Sequence, residues 1–239
     1  MKRRIDVLLV ERGLAESREK AQALIMAGEV YIDDAIAAKP STQVAEDAII
    51  RLREKLPFVG RGGVKLAHAL AEFKIDATSL VSADIGASTG GFTDCLLQHG
   101  AKQVYAIDVG YGQIDYRLRT DPRVVVIDRT NARYPLPISE QIDIATIDVS
   151  FISLEKIVPS VAAITKQGGK IICLVKPQFE AGKSLVEKGG IVKDPAIHAS
   201  VLGKFISWSI NKRYRIVGLT PSPIYGTSGN REFFVLLKV

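Results

Sequence analysis

The sequence predicts an α/β protein: a mostly parallel sheet covered by helices on both faces, preceded by a small α+β module. Two observations carry this. From residue 81 onwards, short Val- and Ile-rich runs (Val81–Ile85, Gln103–Asp108, Arg123–Ile127, Ile142–Ile147 and Lys170–Val175) alternate with helical patterns. Strands that are apolar throughout are buried on both faces, the condition of a parallel sheet between helices. Before residue 59 the rhythm differs, with two short helices and then scattered short strands, and Pro57, Gly60, Gly62 and Gly63 mark the change. The expected boundaries are a module over 1–58, a linker over 59–63 and a large domain over 64–239.

In order along the chain, Ile5, Leu8 and Leu9 are spaced for one face of a helix over 5–12, which Gly13 is placed to end. Ser17 caps a second helix through Ile25, with Ala21, Leu24 and Ile25 on one face and Gly28 beyond its end. Its third helical position is Lys20, so no full capping box forms. Val30–Ile32 reads as a strand, Asp33-Asp34 as a polar turn, residues 48–52 as another strand and Lys55–Gly63 as a connection. In the large domain, Asp194 caps a helix with Pro195 at its first position, running to about Ile210. Tyr214–Leu219 and Glu232–Lys238 add two strands, bringing the sheet to seven.

The composition, 47% hydrophobic and 24% charged, is that of an ordinary globular chain. A net charge of +6 points to an anionic partner. No apolar run approaches the roughly 18 residues of a membrane helix, and Met1-Lys2-Arg3-Arg4 leads into a charged helix and not a signal-peptide core. Cys95 and Cys173 lack metal-ligand spacing and read as buried thiols of a reducing, cytoplasmic setting. His68, His99 and His198 show no ligand spacing either and read as structural, so no metal is expected.

Asp84-Ile-Gly-Ala-Ser-Thr-Gly-Gly-Phe92 joins the first core strand to a helix. Gly86, Gly90 and Gly91 let the backbone turn sharply and approach a ligand, and the helix start offers unpaired N–H groups. A dinucleotide site prefers G-x-G-x-x-G, with a pyrophosphate on the helix end. Here the second glycine of that pattern is Ser88, and Asp84 suits a cationic or amine-bearing ligand. Asp108, ending the next strand, is placed to take two ribose hydroxyls. An acid there serves NAD and S-adenosylmethionine alike, so the loop discriminates. Asp128 and Asn131 are expected to line an adenine pocket, with a capping turn as the other reading.

Asp84–Asp94, Val104–Gln113, Asn131–Arg133, Asp148–Ser153, Val175–Gly182 and Lys188–Pro195 resemble the TlyA (haemolysin A-like) ribosomal RNA methyltransferases, relatives of the FtsJ/RrmJ 2′-O-methyltransferases. Arg4-Ile-Asp, Leu14–Arg18, Ile25–Val30 and Lys39-Pro40 resemble an RNA-binding fold of a small-subunit ribosomal protein and of pseudouridine synthases. The resemblance covers essentially the whole chain. It implies a class I (Rossmann-like) seven-stranded methyltransferase sheet with one antiparallel strand, S-adenosyl-L-methionine as cofactor, and 2′-O-methylation of cytidine in ribosomal RNA. Ser88, Thr89 and Phe92 join the three loop glycines as cofactor-binding residues. It also implies a Lys-Asp-Lys-Glu tetrad of Lys65, Asp148, Lys176 and Glu232, with Asp148 facing the cofactor as well. The stretch between Lys176 and Glu232 is longer than in the simplest FtsJ-type enzymes, which makes Glu232 the least secure match.

A ribose 2′-hydroxyl is a poor nucleophile while protonated, so the enzyme must align its oxygen behind the methyl group and take the proton. A lysine accepts it only when part of the lysine is neutral. Lys176 is the candidate base, with Lys65 as its positive neighbour. Asp148 orients Lys176, and Glu232 balances the neighbouring lysine. Proton abstraction by Lys176, or orientation of the oxygen while water takes the proton, both stay open. The chain lacks the Asn/Asp-Pro-Pro-aromatic run of amino-methylating enzymes, having Asp148-Val-Ser-Phe instead, and Cys173 lies inside a strand where a cytosine-C5 enzyme needs a loop nucleophile. Oxygen is the expected acceptor.

Residues 1–58 hold ten Lys/Arg and ten Asp/Glu, so RNA binding there rests on segregation of charge. Arg3, Arg4, Arg12, Arg18 and Lys20 cluster about the two helices, while Arg51, Arg53, Lys55 and Arg61 lead on to the large domain. Such residues contact phosphates and shape, in ribosomal RNA or ribosomal subunits. Phe151 and Phe179 are expected to flank the acceptor site. Two rivals remain: a membrane-active haemolysin-like protein, disfavoured by the lack of a spanning or strongly amphipathic segment, and a non-catalytic ribosome-assembly factor.

Overall fold

The computed structural model describes residues 2–33, 35–52, 57–226 and 228–239. The chain forms two compact units, Met1–Lys55 and Leu56–Val239.

The small unit runs β1 (Lys2–Arg4), α1 (Ile5–Glu11), α2 (Arg18–Met26), β2 (Val30–Ile32), β3 (Ala35–Ile36), β4 (Gln43–Ala45) and β5 (Ile50–Leu52). Ile5, Leu8 and Leu9 of α1 meet Ala21 and Ile25 of α2 over Val30 and Ile50. Ser17 caps α2 by accepting from the Lys20 amide, and Gly13 and Gly28 take the left-handed conformation that ends each helix. β1 pairs with β4, and β2 lies between β3 and β5, all antiparallel. β1, β3 and β4 are too short to show a period, so their pairing was not readable in the sequence. The strand expected over 48–52 begins only at Ile50, because the Ala48 amide turns back onto the Ala45 carbonyl. Asp34, Arg53 and Lys55 lie outside the described residues.

The large unit contains α3 (Arg61–Glu72), β6 (Val81–Ile85), α4 (Gly91–Gln98), β7 (Gln103–Ile107), α5 (Tyr116–Arg119), β8 (Val124–Ile127), β9 (Ile142–Ile147), α6 (Val158–Ile164), β10 (Thr165–Val175), α7 (Pro177–Glu180), α8 (Pro195–Asn211), β11 (Arg215–Pro221) and β12 (Phe233–Lys238). Arg61, Gly62 and Gly63, expected in a linker, instead form the first turn of α3. Their glycines serve close packing. A Cβ at Gly63 would meet the Phe58 side chain at 2.2 Å, and one at Gly91 would meet the Gly63 amide at 3.0 Å. Asp194 caps α8 by accepting from the Ala196 amide, with Pro195 at its first position.

The strands form one sheet in the order β11-β12-β10-β9-β6-β7-β8, parallel except for β12. Alternate residues of β10 feed two cores: Ile171, Cys173 and Val175 pack with Val201 and Phe205 of α8, while Ile172 and Leu174 pack with Leu66 of α3 and Phe92 of α4. Ile85 lies opposite both Ile107 and Ile147, and Ile147 opposite Cys173. The residues after β6, β7, β9 and β10 therefore emerge along one edge of the sheet. β12 runs the other way, with Phe233 opposite Val175, so the residue before it arrives at that same edge.

Candidate active site

Two cavities lie along this edge and share Gly86, Ser88 and Asp148. The first, about 210 Å³, is lined by Lys65, Asp148, Lys176 and Glu232, together with Arg61 and Tyr225. The second, about 560 Å³, is lined by Asp108, Val109, Asn131, Ala132, Phe151 and Ile152 among others.

All four expected tetrad residues thus face one space, as two pairs. Lys65 Nζ donates to Glu232 Oε2 at 2.5 Å, both largely buried. Lys176 Nζ lies 2.5 Å from Asp148 Oδ1 and donates to Ser150 Oγ at 3.1 Å. Oδ1 of Asp148 is buried, with the Lys176 ammonium as its ion-pair partner. Ser150 and Tyr225 were not singled out in the sequence. Ser150 stood in the quoted Asp148–Ser153 run without a role, and nothing in its pattern marked Tyr225.

The glycine turn is shaped by close approach. Gly86 has φ +83°, and a Cβ there would meet the Asp148 carbonyl oxygen at 2.4 Å. Ser88, at the position where a dinucleotide loop has glycine, takes φ +48°. Its amide donates to Asp108 Oδ2 at 2.8 Å, and the Gly110 amide donates to Oδ1 at 2.7 Å. Asp108 is thereby held at the wall of the larger cavity.

Gly86, Ser88, Thr89, Gly91 and Phe92 line the smaller cavity, and Asn131 lines the larger. Asp84, Gly90 and Asp128 line neither. Asp84 lies beneath the turn with no exposed surface and accepts from Thr93 Oγ1 at 2.8 Å and Thr146 Oγ1 at 3.1 Å. It is therefore not positioned to touch a ligand's amine. Burial pushes its carboxyl up to about 7. Thr146 was the one polar residue facing this core from β9, and that was the available signal. Asp128 accepts from the Gly112 amide and pairs with Arg119, so it fixes the loop after β7. Asn131 also accepts from the Arg133 amide, which makes it a turn residue as well as a cavity wall.

Phe151 is 90% exposed and has φ +62°, a strained backbone for an aromatic residue. Its ring lies 4.8 Å from that of Phe179, and Lys176 Nζ sits 5.9 Å from the Phe179 ring centre. Glu180 ties the two loops together, accepting from Ser153 Oγ and the Leu154 amide at 2.7 and 2.8 Å; burial raises its carboxyl above the usual range.

Arg61 Nη2 donates to the Tyr225 carbonyl at the rim of the smaller cavity. In the small unit, Arg3 pairs with Glu11 and Glu46, Arg4 and Arg18 pair with Asp6, and Lys20 is exposed. Among the described residues no three His, Cys, Asp or Glu are grouped to hold a metal ion, and no helix is long and apolar enough to cross a membrane.

A seven-stranded sheet of this order, with a glycine turn after one central strand and an acid after the next, is the architecture of a methyltransferase. The sequence comparisons specify the family: residues 58–239 match the FtsJ-like methyltransferases and residues 3–50 the S4 domain. The chain belongs to the FtsJ-like methyltransferase family and carries an S4 domain. It is 51% identical to the Bacillus subtilis protein YqxC over 99% of this chain and 85% of that one. It is 44% identical to the 16S/23S rRNA (cytidine-2′-O)-methyltransferase TlyA of Mycobacterium tuberculosis, over 98% of this chain and 89% of that one. A solved structure from Streptococcus thermophilus superposes with a TM-score of 0.76 at 43% identity, covering 99% of this chain and 88% of the other.

Proposed function

We propose that the protein methylates the ribose 2′-hydroxyl of cytidine in ribosomal RNA, using S-adenosyl-L-methionine, in the cytoplasm. The observation that carries the reading is the convergence of two lysine–carboxylate pairs in one cavity beside the Gly86 turn. The acceptor named for the TlyA relative agrees with it.

The residues fit the cofactor. Asp108 presents a carboxylate in the larger cavity for a nucleoside's ribose hydroxyls, and Val109, Ala132 and Ile152 give apolar walls for a base. The Asp148 carboxylate, paired with Lys176, stands where the two cavities meet and adds negative charge beside the site of a positive centre. When bound, the cofactor supplies a methyl group activated by its sulfonium. The protein aligns the acceptor. Lys176, held by Asp148 and Ser150, orients the hydroxyl oxygen, whose proton goes to the neutral fraction of the lysine or to water, and Lys65 with Glu232 lines the same cavity. Phe151, exposed at the mouth, offers a face on which the target base stacks. The S4 domain supplies phosphate contacts.

The test is incubation of unmodified ribosomal subunits with the full chain and labelled S-adenosylmethionine, followed by nucleoside mass spectrometry. Label on the sugar of cytidine is expected; label on a base overturns the assigned acceptor.

A further inference from the structure

We propose that Asp6, in the small unit, is a positioning residue that holds Arg4 and Arg18 as a fixed pair of guanidiniums for RNA phosphate. This rests on the RNA-substrate reading above.

Asp6 has no exposed surface, although it sits in the first turn of α1. Its carboxylate accepts from Arg4 Nε at 2.9 Å and Arg4 Nη2 at 2.8 Å, and from Arg18 Nε and Gln22 Nε2 at 3.0 Å each. The Arg4 and Arg18 side chains above it remain 38% and 51% exposed. Arg4 keeps Nη1, and Arg18 both Nη nitrogens, outside this network. Two cations over one buried anion leave net positive charge facing outwards, with the forks already oriented. An arginine fork fits phosphate in a bidentate manner, and ordering it beforehand removes an entropic cost from binding.

Two further arginines of the module, Arg12 and Arg3, are used differently. Arg12 donates through both Nη nitrogens to the carbonyls of Ala48 and Glu46. Arg3 bridges Glu11 and Glu46. These two staple the module, so four arginines alike in sequence divide into two staples and two presented forks. Arg3, expected from the sequence to contact RNA, falls with the staples.

The experiment uses the full chain and in vitro transcribed ribosomal RNA, with affinity measured over a range of salt concentrations. Asp6→Asn removes a negative charge, so attraction by charge alone makes it bind more tightly. Positioning makes it bind about tenfold more weakly, the worth of a charge-assisted hydrogen bond or two, with a shallower salt dependence and unchanged cofactor binding. Equal or tighter binding by Asp6→Asn overturns the proposal. Should that variant fail to fold, the double variant Arg4→Lys/Arg18→Lys keeps every charge and loses the forks together with their bonds to Asp6: weaker binding supports the proposal, and wild-type affinity overturns it. Failure of the wild-type chain to bind the RNA overturns the substrate reading itself, a result distinct from loss of the positioning role alone.

Discussion

Asp6 in the small unit and Asp84 in the large one both have no exposed surface, yet their surroundings push them in opposite directions. Arg4, with Gln22 and Arg18, holds the Asp6 carboxyl well below the usual carboxylate range. Among the described residues Asp84 has two threonine hydroxyls and no cation as partners. Burial therefore dominates and raises it to about 7, with the charge of Asp148 adding to the rise. Taking a carboxylate out of water fixes the size of the penalty, while the partners decide whether the proton stays. In the small unit the charge is kept because two guanidiniums and an amide donate to it. Under the glycine turn a proton substitutes for a counter-ion.

Asp148 extends the comparison, since its one cation is Lys176, at the cleft wall. The largest effect is expected there. Lys176→Ala leaves the Asp148 carboxylate without that ammonium and the acceptor without its aligning group, and methyl transfer should fall by about 10²- to 10⁴-fold. RNA affinity, which the proposed function assigns chiefly to the S4 domain, should hold. Single-turnover rates measured beside binding isotherms separate the two; a matching loss in both would mean that the lysine serves RNA docking.

The next effect is in pH dependence. Below the ordinary aspartate value of 3.8, Asp84 is protonated whether the chain is folded or not. Between there and about 7 the unfolded chain has lost the proton and the folded chain keeps it, so this group's contribution to stability falls as pH rises and levels off above 7. Asp84→Asn should thus compare more favourably with wild type at pH 8 than at pH 5 in chemical denaturation. Asp6 has the opposite slope: the stability it contributes is present at neutral pH and is lost on acidification below the carboxylate range. Parallel slopes for the two aspartates would break the comparison. The smallest effect is Thr146→Val, which removes one of the hydroxyl donors that favour ionised Asp84. It should cost about 1 kcal/mol and carry the pH window upwards, both visible in the same denaturation series.

Much of the sheet was legible because buried parallel strands are written as unbroken apolar runs, and each of Lys65, Asp148, Lys176 and Glu232 could be placed against one of them. The pairing of Asp148 with Lys176 and of Glu232 with Lys65 was expected from the family resemblance and not from the pattern, since it depends on side-chain reach across the cavity. The depth of Asp84 was hidden for a similar reason: an acid two residues before Gly86 reads alike whether it faces the ligand or lies under the turn. Gly62 and Gly63 look like a flexible connection in sequence, and only the nearness of Phe58 and Gly91 shows them to be contact surfaces. In the small unit β2 and β5 were readable as short apolar runs, whereas β1, β3 and β4 are defined by their partners and no local reading reaches them.

The reversed direction of β12 has a consequence for how the enzyme comes into being. Lys65 meets a carboxylate 167 positions further along the chain, delivered only when that strand threads between β10 and β11. A polypeptide still emerging from the ribosome, with Lys65 through Lys176 already outside, holds three of the four tetrad residues and leaves Lys65 without its carboxylate. On the proposed reading, competence arrives together with the closing of the sheet.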